Sequence, residues 1–252
     1  MKLTKRNYYS KKASNEFMSY SQFKDFDECP AKAIAKLKGE YVQEETESML
    51  VGSYVDAWLD GELPKFKQKH PEIFNSRTGE LKSQFKQANE LCDLIKADEY
   101  LYKLLKGKRQ VIIYGKIAGI PFKGKIDSLT ADLIVDGKVL KDCEDIWHRG
   151  EKKPFYKANG YDLQGAIYKT CYKQMTGKNL PFRLGVVTKE KTPDKRVFEF
   201  SEETIDKALQ EIIAKAPIYQ AIKEGREEAW GCGVCDYCRS KRQLSEDNVE
   251  IL

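Results

Sequence analysis

At 252 residues the chain is long enough for one large domain or two small ones, and 41 % apolar residues leave ample material for a core. With 44 basic against 39 acidic side chains, the net charge of +5 is mild and far from that of a histone-like tail. The charged N-terminus runs into Asn7-Tyr8-Tyr9-Ser10 rather than an apolar core, and no run nears the ~18 apolar residues of a bilayer span. A soluble, cytoplasmic protein with no membrane partner is expected. Its seven cysteines then read as reduced thiols, some of them metal ligands, rather than as a disulfide framework.

Ser21 starts a predicted helix whose apolar positions, from Phe23 and Phe26 to Ile34 and Leu37, recur at helical spacing until Gly39, with Pro30 splitting it. A short helix is predicted over 48–60 and a longer one over 81–105. Residues 111–138 hold three short runs of β-formers separated by glycines, which read as a meander. A helix over 156–174 carries Tyr161, Gln164, Ile167, Tyr168 and Cys171 on one stripe. Strands over 184–187 and 196–200 flank Thr192-Pro193-Asp194, and Ser201 caps a helix to about residue 223. No repeat or linker interrupts this order, so 1–252 is expected to be a single domain.

The chemistry concentrates at the end of the meander. Asp136 and Lys138 are two apart on a strand and so share a face, and Asp127 joins them if its strand pairs antiparallel with theirs. Two carboxylates suit a hard divalent cation that keeps some of its waters, and a neighbouring lysine can orient a water for attack on a phosphodiester. The competing reading is a solvated Asp-Gly-Lys turn. Against it, the apolar run Leu133-Ile134-Val135 delivers Asp136 directly from a buried strand, where an unpartnered carboxylate is costly.

Gly124-Lys125-Ile126-Asp127 with Ile134-Val135-Asp136-Gly137-Lys138 resembles the metal-binding core of the PD-(D/E)XK nuclease superfamily, nearest its RecB-like and RecE-like branch and phage-type exonucleases. Gln164 and Tyr168 match that branch's Gln-x-x-x-Tyr element and, four apart, share one helix face. The resemblance spans about 19–239 and implies an α/β fold with a restriction-endonuclease-like core, a mixed central sheet flanked by helices. It implies a metal-dependent DNA exonuclease acting on linear duplex ends in phage or prophage recombination. Mg2+ or Mn2+ would be held by Asp127, Asp136 and Asp56, the last standing where relatives carry histidine. Lys138 would position the attacking water, and Gln164 and Tyr168 would support the site. Rings of three or four subunits and a single-strand annealing recombinase partner are further implications.

Cys232, Cys235 and Cys238 form two consecutive Cys-x-x-Cys steps, so three thiolates can converge on one metal or cluster. Cys29 resembles the single N-terminal cysteine that completes the set in iron–sulfur nucleases. The ferredoxin-like run puts a [4Fe–4S] cluster ahead of Zn2+, with the 230–239 segment packed against the N-terminal helix. Cys92, Cys143 and Cys171 have no spacing partner and read as inert. Lys125, Lys141, Arg149, Lys152 and Lys153 are candidate phosphate contacts, with Trp147, Phe155 and Tyr156 interleaved for base stacking. The rival reading of 141–157 is a solvated lysine-rich loop. A second class of function stays open: a catalytically weak DNA-binding accessory protein with a structural metal clasp, motivated by Asp56 and by the strand glycine Gly137.

Overall fold

The computed structural model describes residues 1–148 and 150–243. Its elements run α1 (Lys11–Glu16), β1 (Met18–Ser19), α2 (Tyr20–Glu28), α3 (Pro30–Lys38), α4 (Glu47–Leu59), α5 (Leu63–Lys69), α6 (Ser83–Ala97) and α7 (Glu99–Leu105). There follow β2 (Lys108–Ile117), β3 (Ile120–Leu129), β4 (Ile134–Leu140), β5 (Ile146–His148), β6 (Glu151–Lys153), α8 (Phe155–Asn159) and α9 (Tyr161–Thr176). The chain continues through β7 (Phe182–Thr188), β8 (Lys195–Glu199), α10 (Glu202–Lys223) and α11 (Asp236–Ser240). It forms two compact units: Met1–Gln43 with Lys116–Lys123 and the residues from Gln210 on, and Glu44–Gly115 with Gly124–Leu209.

Several element boundaries differ from expectation for local reasons. The cap of α2 is Ser19, whose Oγ accepts from Gln22 N at 3.2 Å, rather than Ser21. Cys29 separates α2 from α3, and Pro30 then occupies the first turn of α3, where its missing N–H costs nothing. The predicted 81–105 helix is two helices, because the Asp98 carboxylate accepts from Leu101 N at 3.0 Å and starts α7 afresh. The 156–174 helix likewise breaks at Gly160, whose left-handed backbone (φ 74°) ends α8.

In the larger unit, β3 and β4 pair antiparallel, β4 and β7 parallel, and β7 and β8 antiparallel, with β2 beside β3. This is the mixed sheet expected, and its alternation sorts two faces. Val135 and Val187 enter a core with Tyr54, Leu91 and Leu105 from α4, α6 and α7. On the same face Gly137 and Gly185 are register partners; a Cβ would stand 3.3 Å and 2.9 Å from Leu105 Cδ2. Gly137 is therefore a seat for α7 rather than a weak point in the strand.

On the other face, α9 packs so closely that a Cβ at Gly165 would stand 2.6 Å from the buried Phe182 ring. Gly165→Ala gains about 1 kcal/mol of helix propensity but overpacks this contact by about 1–3 kcal/mol, so a net loss is expected in urea unfolding. A variant as stable as the parent would contradict that packing.

In the smaller unit β1 pairs in parallel with the first residues of β3, Met18 opposite Phe122. Phe23 and Phe26 of α2 close on Tyr219 of α10, with ring centroids 5.3 and 5.7 Å apart. Among the described residues no helix is long and apolar enough to cross a membrane.

Candidate functional site

The β3–β4 register pairs Ser128 with Val135, so one step further Asp127 lies opposite Asp136. Asp127 Oδ2 accepts from Gly137 N at 3.3 Å. Asp136 is 1 % exposed; Gln164 Nε2 donates to its Oδ1 at 2.6 Å, and its Oδ2 forms an ion pair with the Lys138 ammonium. Thus β4 supplies the buried carboxylate and lysine on one face, as their spacing requires. Lys138 Nζ also lies over the Tyr161 ring, 5.4 Å from its centroid.

Gln164 and Tyr168 project from the same face of α9 and join a chain of bonds. Gln164 Nε2 donates to Tyr168 Oη at 3.1 Å, and Tyr168 Oη donates to the Lys125 carbonyl at 3.2 Å. Gly124 makes this possible: a Cβ there would stand 2.8 Å from the Tyr168 ring. The glycine of the Gly-Lys-Ile-Asp run thus lets the ring lie against β3. Tyr168→Phe should cost about 1 kcal/mol in urea unfolding, because it leaves the Lys125 carbonyl without this donor. An unchanged unfolding midpoint would mean the bond contributes nothing.

The electrostatics are those of crowded carboxylates. Burial, then the Asp136 charge, push Asp127 up to about 7, with Lys138 and Arg109 opposing. Asp56, on α4, keeps 46 % of its side-chain surface, yet protein atoms crowd its carboxylate. That crowding and the Asp127 charge raise it to about 7 as well. Burial alone would lower Lys138, but Asp136 and Asp127 outweigh it and hold the ammonium well above its usual range.

Three carboxylates gathered at one site suit a hard divalent cation, and Gln164 Oε1 is buried with no hydrogen-bond partner in this site. The carboxylates stand more openly than the cysteines. Among the described residues, Cys29, Cys232, Cys235 and Cys238 are the one set of three or more potential ligands whose atoms lie within 4.8 Å of one another.

That second cluster lies wholly within the smaller unit. Cys29 Sγ and Cys238 Sγ are 3.6 Å apart, and Cys29 Sγ accepts from Lys32 N and Cys232 N, both at 3.5 Å. Cys232 Sγ accepts from Cys235 N at 3.3 Å, and Ala31 N donates to the Trp230 carbonyl at 3.1 Å, which sets the 230–239 segment against α3. Burial opposes ionisation of Cys232, but the N–H groups of Val234 and Cys235 outweigh it and draw the thiol down to about 6. Sulfurs sharing one tetrahedral ion at about 2.3 Å each stand close together. Cysteines on a four-iron cluster bind different irons and point outward from the cube, so they stand further apart. Cys92 and Cys171 are buried, and burial pushes both thiols up to about 12, as inert residues require.

The candidate phosphate contacts divide. Lys125 lies on β3 two residues before Asp127, and its carbonyl accepts from Tyr168 Oη. Lys141 is exposed 3.4 Å from Asp142, and Lys153 lies 3.4 Å from Glu151. Lys152 is exposed opposite Trp147 on the β5–β6 ribbon, and Arg149 lies outside the described residues. Across 141–153 as a whole, four basic side chains meet four acidic ones, so the segment carries no net charge, its basic excess lying in the ribbon. Trp147 is 73 % exposed, whereas Phe155 is buried against Phe198, 5.0 Å between centroids, and is unavailable for stacking.

Sequence reasoning missed Arg109 and Asp60. Arg109 hides in the basic run Lys106-Gly107-Lys108-Arg109, which reads as a solvated turn; the four-residue spacing of Asp56 and Asp60 was the available signal. Arg109 Nε donates to Asp60 Oδ1 at 2.7 Å, and its Nη2 stands 3.9 Å from Asp56 Oδ1.

Residues 19–241 match the family described as "PDDEXK-like domain of unknown function (DUF3799)". The crystal structure of "Putative exonuclease" from Eubacterium rectale superposes with a TM-score of 0.92 at 38 % identity, covering 98 % of this chain and 96 % of that one. The crystal structure of SSO0001 covers 73 % of this chain and 83 % of that one at 15 % identity and a TM-score of 0.30. No curated protein matches the chain. With the family match spanning most of its length, and with the mixed sheet bringing Asp127, Asp136 and Lys138 together, the chain belongs to the PDDEXK-like family.

Proposed function

We propose that the protein is a Mg2+- or Mn2+-dependent DNA exonuclease acting at linear duplex ends, in the recombination pathway of a phage or prophage. The observation that carries the reading is the ion pair of buried Asp136 with Lys138, facing Asp127 across two strands, with Gln164 fixing the aspartate. Asp127, Asp136 and Asp56 would hold the cation, which when bound polarises the scissile phosphate and acidifies a water. Gln164 keeps Asp136 oriented with its lone pairs toward the site, and Tyr168 fixes Gln164 against β3. Lys138, held as an ammonium, orients the water and offsets charge that develops on the phosphate. Lys125 is the lysine best placed beside the site for the DNA backbone. A ring oligomer and an annealing recombinase partner belong to the same reading.

The test is incubation of the purified chain with linear and covalently closed duplex DNA, with Mg2+ or Mn2+. Linear DNA should shorten from its ends while the closed circle persists. Nicking of the circle at an equal rate would make the protein an endonuclease. Survival of both substrates would favour the accessory-protein reading, which now rests on Asp56 alone.

The cysteine set is proposed as a structural metal clasp. Its compactness supports a single tetrahedral ion such as Zn2+ over a [4Fe–4S] cluster. Metal analysis with a visible absorption spectrum of an anaerobic preparation decides between them: zinc and no colour for the ion, iron and a brown solution for the cluster.

A further inference from the structure

Arg109 lies at the start of β2, 13 % exposed, and each of its nitrogens faces something different. Nε donates to Asp60 Oδ1 at 2.7 Å, Nη1 to the Leu105 carbonyl at 3.1 Å, and Nη2 is buried without a hydrogen bond, 3.9 Å from Asp56 Oδ1. Asp56 and Asp60 are one turn apart at the end of α4, where Lys106 Nζ also donates to the Leu59 carbonyl at 2.6 Å. The guanidinium therefore ties the last turn of α4 to the strand and leaves one N–H group in reserve beside Asp56. A second, independent feature sits next to it. Gln110 has a left-handed backbone, φ 57°, and its Oε1 is also buried without a partner. A non-glycine residue held in this conformation is strained, and such strain is kept where the aim of a side chain matters.

We propose that Arg109 is the positioning residue of this site: anchored by its Nε bond to Asp60, with Nη2 beside Asp56, it sets the Asp56 carboxylate for binding the divalent cation. The inference rests on the reading of Asp56 as a cation ligand. It makes a prediction of unusual sign. Acting only as a nearby positive charge, Arg109 would repel the cation, and its loss would tighten binding. Acting by positioning, its loss weakens binding, as for other groups that orient metal ligands.

The experiment is calorimetric titration of Mn2+ into the full chain, comparing the parent with Arg109→Gln, Arg109→Lys, Asp56→Asn and the Asp56→Asn/Arg109→Gln double variant. Both Arg109 variants should raise the Mn2+ Kd by about 10–100-fold, since lysine keeps the charge but cannot fork. The double variant should bind no more weakly than Asp56→Asn alone, because Arg109 acts through Asp56. Unchanged or tighter binding in Arg109→Gln overturns the proposal, as do losses that multiply in the double variant. Should Arg109→Gln fail to fold, Asp60→Asn replaces it in the same cycle, with a several-fold loss expected that vanishes when Asp56 is already Asn; a loss that persists is equally fatal. A parent chain that binds no Mn2+ fails at the nuclease reading itself, whereas a parent that binds, with multiplying losses, fails only here.

Discussion

Asp136→Asn is expected to reduce cleavage of linear duplex DNA by about a thousandfold or more, the rate equivalent of several kcal/mol of lost charge stabilisation. The fold should survive, because asparagine keeps the oxygen that accepts from Gln164, and Lys138, 23 % exposed, retains access to water. Lys138→Ala should be equally inactive for a less informative reason. It strips the counter-ion from a carboxylate that is 1 % exposed, and breaking a buried pair from one side costs about 3–5 kcal/mol. The two variants therefore need activity and urea unfolding measured side by side. Asp136→Asn should lose activity alone, and Lys138→Ala both activity and stability. An Asp136→Asn protein that degrades linear DNA as fast as its parent would end the assignment of this site.

Stripping the metal from the cysteine cluster, or replacing Cys238 by serine, is the second large effect expected. No residue of α11 is buried, so few apolar contacts hold this segment. Among the described residues, the ties outside the thiols include the Ala31–Trp230 backbone bond and an edge contact between Tyr41 and Tyr237. Metal–thiolate bonding in small structural sites is worth about 10–16 kcal/mol of apparent binding energy. Even a third of that corresponds to a fall of about 10–20 °C in Tm for a chain of this size. Limited proteolysis should then cut between Arg226 and Arg239. A metal-free preparation that melts with the parent and resists protease would remove the clasp from consideration.

The parts of the site legible in the sequence were those set by strict periodicity. Strand alternation put Asp136 and Lys138 on one face, and helical spacing joined Gln164 to Tyr168. The parts hidden from it depend on packing between elements distant in sequence. Gly137 reads as a flaw in a strand until its register partner Gly185 and the Leu105 side chain stand opposite it. Arg109 reads as solvated until α4 brings Asp60 to it. Lys123, two residues before Lys125, reads as another basic group beside the site, yet it is 3 % exposed and donates to the Tyr8 carbonyl at 2.6 Å. Charge near a motif in sequence says little when the side chain is already committed to a buried backbone carbonyl. The helix breaks at Asp98 and Gly160 were readable, since a capping carboxylate and a left-handed glycine are local signals that hydrophobic periodicity overran.

The cysteine cluster also bears on how the protein is made. Cys29 and Cys232 are 203 residues apart, and the other two ligands come later still. A ribosome adding about 5–20 residues per second exposes Cys29 well before its partners exist. Four-ligand metal capture is thereby delayed until Cys238 has been synthesised, and a product truncated before Cys232 keeps only one of the four ligands. The cluster would distinguish chains that extend past Cys238 from shorter ones, giving quality control a handle that the nuclease site, complete by Tyr168, does not offer.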